Sequence, residues 1–185
     1  SRCKSPRRQR GNKNRYGLAG ACGYYKVDKP DPFMGAERRI VLHGVSMGAA
    51  TVLMASGEDL PGNVKAVIAD CGYTSEWDEF QREADALHIP WFPVLNATSV
   101  LSKIRDGYDF KQASALAQVK KSRIPTLFIH GSSDELVPYS MLGELYAAAA
   151  CEKEELTVEG QAMRSRLLLR PRCIGVQSRI LSQSI

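Results

Sequence analysis

Gly44-Val45-Ser46-Met47-Gly48 places a serine two residues from a glycine on either side, between an apolar run and a stretch of small residues. Small neighbours let a strand turn sharply into a helix, and a serine at the tip of that turn projects its hydroxyl while holding strained backbone angles. Gly44, Gly48, Ala49 and Ala50 are expected to supply the room. The chemistry is nucleophilic attack by Ser46 on an acyl carbon. The amide of Met47, at the start of the helix, would donate to the developing oxyanion. The competing reading is a glycine-rich turn with a chance serine, and the flanking strand and helix patterns weigh against it.

A serine nucleophile needs a base, and the base an acid to orient it, in the chain order Ser, acid, His for this type of turn. Asp134 is the expected acid, because it lies just past an apolar strand in Gly131-Ser132-Ser133-Asp134; a turn-capping aspartate is its alternative. Asp70, at the end of the intervening strand, is the second choice of acid and is favoured as a structural or pocket-wall residue. His43 and Tyr73 join it as candidate pocket residues. The chain has three histidines, His43, His88 and His130, and none follows Asp134. His43 and His130 each close a strand before a glycine, where a hydrogen-bonded structural imidazole is expected. His88, beside Ile89-Pro90, reads as a surface or packing residue. The catalytic histidine is therefore expected to be absent.

These residues need a scaffold that brings strand ends together. Residues 40–43 read as a short buried strand and 49–56 as a helix; 64–69 is an unbroken apolar strand of the kind found in parallel sheets. Helical stretches are expected near 76–87 and 99–105, separated by Ile89-Pro90-Trp91-Phe92-Pro93, which the prolines exclude from regular helix. The segment around 76–112 is expected to form a small cap. Strands at 126–130 and 155–158 enclose a helix over 139–150. The alternation predicts an α/β fold, with a parallel sheet of about four strands flanked by helices and with functional loops at the strand C-termini.

At 185 residues and 44% hydrophobic composition the chain suffices for one domain with a core. The net charge of +5 sits at the ends: Arg2, Lys4, Arg7, Arg8, Arg10, Lys13 and Arg15 near the start, and Arg164, Arg166, Arg170, Arg172 and Arg179 after Met163. Residues 1–38 and 161–185 carry no strand or helix period and read as irregular basic segments around a 39–160 core. Five cysteines without a C-x-x-C pair argue against a zinc site and a disulfide framework. No metal and no cofactor are expected. No apolar run approaches the roughly 20 residues that span a bilayer, and the basic start lacks the apolar core of a signal peptide. A cytoplasmic location is expected unless a targeting segment lay upstream.

The run from Ile40 to Glu58 resembles a bacterial family of α/β hydrolases grouped with prolyl-oligopeptidase-like and esterase-like enzymes. So do Asp70-Cys71-Gly72-Tyr73-Thr74-Ser75, Gln118-Val119-Lys120-Lys121-Ser122 and the run from Phe128 to Pro138. The resemblance implies an α/β-hydrolase fold, here incomplete and corresponding to its C-terminal part, with earlier strands expected before residue 1. It implies Ser46 as nucleophile, Asp134 as acid, and a histidine soon after residues 156–160, within a Gly-Ala-Gly-His stretch. The chain instead reads Gly160-Gln161-Ala162-Met163. Inserting one base into an allowed coding of it, GGG CAG GCC ATG, yields GGG GCA GGC CAT G, which reads Gly-Ala-Gly-His. Similar shifts turn residues 172–176 into Leu-Tyr-Trp-Gly and residues 14–22 into Gly-Met-Gly-Trp-Leu-Glu-Arg. Both ends are therefore expected to be out-of-frame translation, with divergent basic tails as the alternative.

The expected function is hydrolysis of an ester, thioester or peptide bond through an acyl-enzyme on Ser46, impaired here by the missing histidine, with a small-molecule or peptide acyl substrate. The alternative is an inactive scaffold that at most binds. Nucleic acid is not expected as a partner, because the arginine-rich ends lack a reading element.

Overall fold

The computed structural model describes residues 39–106 and 109–160. The expected irregular ends, with the shifted reading frames placed on them, lie outside the described residues.

Four strands form one parallel sheet in the order β1-β2-β3-β4: β1 (Ile40–Val45), β2 (Val64–Asp70), β3 (Thr126–Gly131) and β4 (Lys153–Val158). The register sets Val45 beside Asp70, Asp70 beside Ile129 and Gly131 beside Val158, so the strand ends line up along one edge. β3 is buried throughout and β2 nearly so, whereas β4 and, apart from buried Gly44, β1 are half-buried or exposed. The inner strands have hydrogen-bonded neighbours on both sides, which is why their sequences are the most continuously apolar.

Each strand is followed by a crossover to its immediate neighbour. In one layer α1 (Met47–Ser56) packs on β1, β2 and α4 (Ala115–Val119), while α5 (Ser140–Ala148) packs on β3 and α4. With α4 touching both other helices, this is the arrangement that right-handed crossovers between successive neighbours produce. Leu53 of α1, Val67 of β2, Phe128 of β3 and Leu145 of α5 meet in that layer and are almost fully buried. Burying such a side chain stabilises the fold by about 1.5–3 kcal/mol.

The connection from β2 to β3 also carries α2 (Glu76–Ala86) and α3 (Trp91–Asp106), the segment read as a cap. Ser75 caps α2 by accepting from the Asp78 amide, and Glu76, Asp78 and Glu79 place acids in its first turn, where the helix dipole favours them. The expectation that prolines keep 89–93 out of helix is corrected in part. Phe92 is non-helical (φ −98, ψ 120), but regular turns follow from Pro93, whose missing N–H costs nothing at a helix start. The five-residue α4 was not anticipated, being too short for a period to show. Its one local signal is Ser114, which accepts from the Ala117 amide.

Candidate active site

β1 ends at Val45 and α1 begins at Met47, leaving Ser46 as the whole of the turn. Its φ of 53 and ψ of −116 lie where a side chain costs about 1–3 kcal/mol, so the surroundings must hold it there. Its amide donates to the Asp70 carbonyl at 2.8 Å, and its carbonyl accepts from the Ala50 amide at 3.0 Å. A Cβ at Gly44 would run into the Gly48 carbonyl, so strand and helix approach this closely only over a glycine. Gly48 is different, because a Cβ there would meet nothing within 4 Å. The expectation that both glycines make room is thereby corrected; Ala49 and Ala50, fully buried, share that role with Gly44. Met47 points an exposed side chain outward, and its amide belongs to the first helical turn, whose N–H groups have no intrahelical acceptor.

Asp134 lies three residues beyond β3, on the same sheet edge as Ser46 and Asp70. Its Oδ1 accepts from the amides of Leu136 (3.0 Å) and Val137 (3.1 Å), an Asx-type turn that fixes the carboxylate plane. The buried Oδ2 has no hydrogen bond of ordinary geometry among the described residues: the Cys71 thiol also faces this carboxyl, and Nε2 of His130 is 3.8 Å away. A buried carboxylate oxygen left in this state costs free energy unless a donor reaches it.

The three histidines are placed apart in character. His130 is fully buried, donates from Nε2 to the Val137 carbonyl at 3.0 Å and packs edge-on against Tyr139. This is the structural imidazole expected of it. His43 and His88 are exposed, His43 in β1 and His88 just after α2 with a φ of 56. Tyr73 is buried in the core cluster.

Sequence reading missed two neighbours of the acid. Cys71, with a φ of 54, donates from Sγ to Oδ1 of Asp70 at 3.3 Å, and its sulfur lies within 4.8 Å of ligand-type atoms of His130 and Asp134. Burial, and next the adjacent Asp70 charge, push the thiol up to about 12 from its ordinary 9.0. These three side chains are of ligand type, and Nδ1 of His130 has no hydrogen-bond partner among the described residues. Arg82 of α2 is the other: Nη2 donates to the Leu136 carbonyl at 2.7 Å and Nη1 to Glu79 at 3.0 Å. Burial raises the Glu79 carboxyl above its ordinary value, and Arg82 draws it partly back.

Among the described residues, one concavity of about 240 Å³ is lined by Gly57, Asp59, Lys121 and Arg123 at the N-terminal edge of the sheet, away from Ser46. Another, of about 100 Å³, lies between α2 and the acid turn and is lined by Glu79, Arg82, Glu83, Ala86, Glu135 and Leu136. Neither is lined by Ser46, His43 or Tyr73.

A stretch of 108 residues is 33% identical to a protein of Bacillus subtilis (strain 168) described as uncharacterized protein YqkD, covering 58% of this chain and 35% of that one. Among solved structures, an acylaminoacyl peptidase of Pyrococcus horikoshii superposes with a TM-score of 0.52 at 19% identity, over 73% of this chain and 22% of that one. A puromycin hydrolase mutant complexed with PGG gives 0.50 at 15%, over 71% and 19%. The chain thus spans about a third of the curated relative and about a fifth of these structures, whose shared feature is the α/β-hydrolase fold. The model of the prolyl oligopeptidase family matches residues 31–163, a span that takes in the serine turn, the cap-like helices and the acid loop, and the chain belongs to that family.

Proposed function

We propose that the chain carries the nucleophile and acid of a hydrolase of ester, thioester or peptide bonds. Ser46 attacks the acyl carbon, the Met47 amide stabilises the oxyanion, and departure of the leaving group yields an acyl-enzyme that water cleaves. Asp134 is the acid that orients the base, and α2 with α3 serves as a cap beside the substrate. The observation that carries this reading is the strained Ser46 backbone, a single-residue turn between β1 and α1 pinned by hydrogen bonds on both sides. The unsatisfied Oδ2 of Asp134 supports it, since an imidazole N–H is the donor such an oxygen takes in a triad.

The second reading, an inactive scaffold, draws on the histidines. None follows Asp134, and the buried His130 already has its Nε2 proton on Val137. We infer that this chain is impaired, retaining a nucleophile without its base. A fluorophosphonate probe and p-nitrophenyl esters test both readings. The chain should hydrolyse esters hardly faster than its Ser46→Ala variant. Turnover of order 1 per second, within the usual enzyme range, that Ser46→Ala removes would instead make one of the three histidines the base and overturn the impairment.

A further inference from the structure

We propose that Arg82 is a positioning residue for Asp134, tying the cap-like helix α2 to the turn that holds the acid; this rests on Asp134 being the acid. The turn is held by bonds between its main chain and two buried side chains. Leu136 and Val137 give their amides to Asp134 Oδ1, and the Val137 carbonyl takes the His130 proton. The Leu136 carbonyl points the other way and is held by Arg82 from a helix 54 residues earlier in the chain. Leu136 thereby carries the coupling: its carbonyl is fixed by the guanidinium while its own amide fixes the carboxylate.

Glu79 completes the arrangement. It takes the second nitrogen of Arg82, and with only 14% of its side chain exposed it holds the guanidinium plane rather than letting it swing into solvent. A planar fork that engages two fixed acceptors is a better brace than a single ammonium, which reaches one of them. A hollow of about 100 Å³ lies between these residues, lined by Glu79, Arg82, Glu83 and Ala86 from α2 and by Glu135 and Leu136 from the turn. A displacement of α2 is therefore passed to the acid through Arg82.

The test uses the isotopically labelled 185-residue chain. In Arg82→Ala, amide exchange at Leu136 and Val137 should quicken about tenfold or more, the scale of losing a hydrogen bond to a charged group. Exchange at Leu127 and Ile129 in β3 should stay as it is. The amide proton shifts of Leu136 and Val137, which report donation to the carboxylate, should move in the direction seen for Asp134→Ala. Arg82→Lys should recover part of both effects. If the two amides keep their shifts and exchange rates in Arg82→Ala while circular dichroism shows the helices intact, the proposal is overturned. If they move, but Asp134→Ala and Arg82→Ala leave p-nitrophenyl ester hydrolysis unchanged in a variant that carries the Gly-Ala-Gly-His frame after β4, Arg82 braces a structural turn only. The positioning role then falls together with the reading of Asp134 as acid.

Discussion

At the residue scale, two glycines of one motif do different work. Gly44 sits where any side chain would collide with the main chain of α1, whereas Gly48 faces open space. Gly44→Ala should therefore destabilise the chain by about 3 kcal/mol, the upper end of ordinary overpacking costs. Gly48→Ala should be neutral or stabilise by up to about 1 kcal/mol, because alanine is the better helix residue. Urea unfolding measures both, and equal losses at the two positions would contradict the close-approach argument. Cys71 offers a second prediction. With its thiol pushed up to about 12 by burial and by Asp70, the thiolate is scarce throughout the neutral range. Alkylation of Cys71, followed by peptide mass spectrometry, should stay slow from pH 7 to 9 in the folded chain and become fast in guanidinium. Half-buried Cys151 should react sooner.

At the element scale, α3 is the least supported helix. It turns Leu95 and Ser99 inward but leaves Val94, Leu101 and Ile104 exposed, so few apolar contacts hold it. Asp109 compensates, accepting from the Lys111 amide, from Ser99 Oγ and from Lys103 Nζ. The Lys111 amide foremost, then Lys103 and Ser99, hold its carboxyl below the ordinary 3.8. For a lowered carboxylate, the stabilisation is present above the unfolded value and is lost as pH falls through the folded one. Amide exchange within α3, corrected for intrinsic rates, should therefore show increasing opening as pH drops below 3.8. Asp109→Asn should be open already at neutral pH and change little on acidification. A helix that keeps its protection in both conditions would show that Asp109 does not hold it.

At the scale of the whole molecule, the parallel order β1-β2-β3-β4 brings residues about 90 positions apart to one edge: Ser46 after β1 and Asp134 after β3. β4 ends at Val158 on the same edge, beside Gly131. A chain leaving β4 therefore starts next to the acid loop, and Gly160 already donates its amide to Ser132. This placement is why a histidine shortly after β4 is the missing part in the proposed mechanism. A variant in which both ends are restored to the Gly-Ala-Gly-His frame should gain about 10²-fold or more in p-nitrophenyl ester hydrolysis, the scale of general-base catalysis. Ser46→Ala should abolish that gain. A restored chain no faster than the present one would favour the inactive scaffold.

The serine turn, the alternation of four strands with helices and the position of Asp134 past a buried strand were all legible in the amino-acid sequence. Each is written in local signals: an apolar run, a glycine where strand and helix must touch, a polar loop where a strand leaves the sheet. The start of α3, the existence of α4 and the dispensable Gly48 were not, because a proline, a five-residue helix and a glycine look alike in sequence whether or not a neighbour crowds them. The surroundings of Asp134 were furthest out of reach. Arg82 meets Leu136 across 54 residues, and Cys71 comes beside His130 and Asp134 only through the register of β2 on β3. Contacts of that kind depend on how strands pair and crossovers stack, so only the tertiary structure decided which side chains surround the acid.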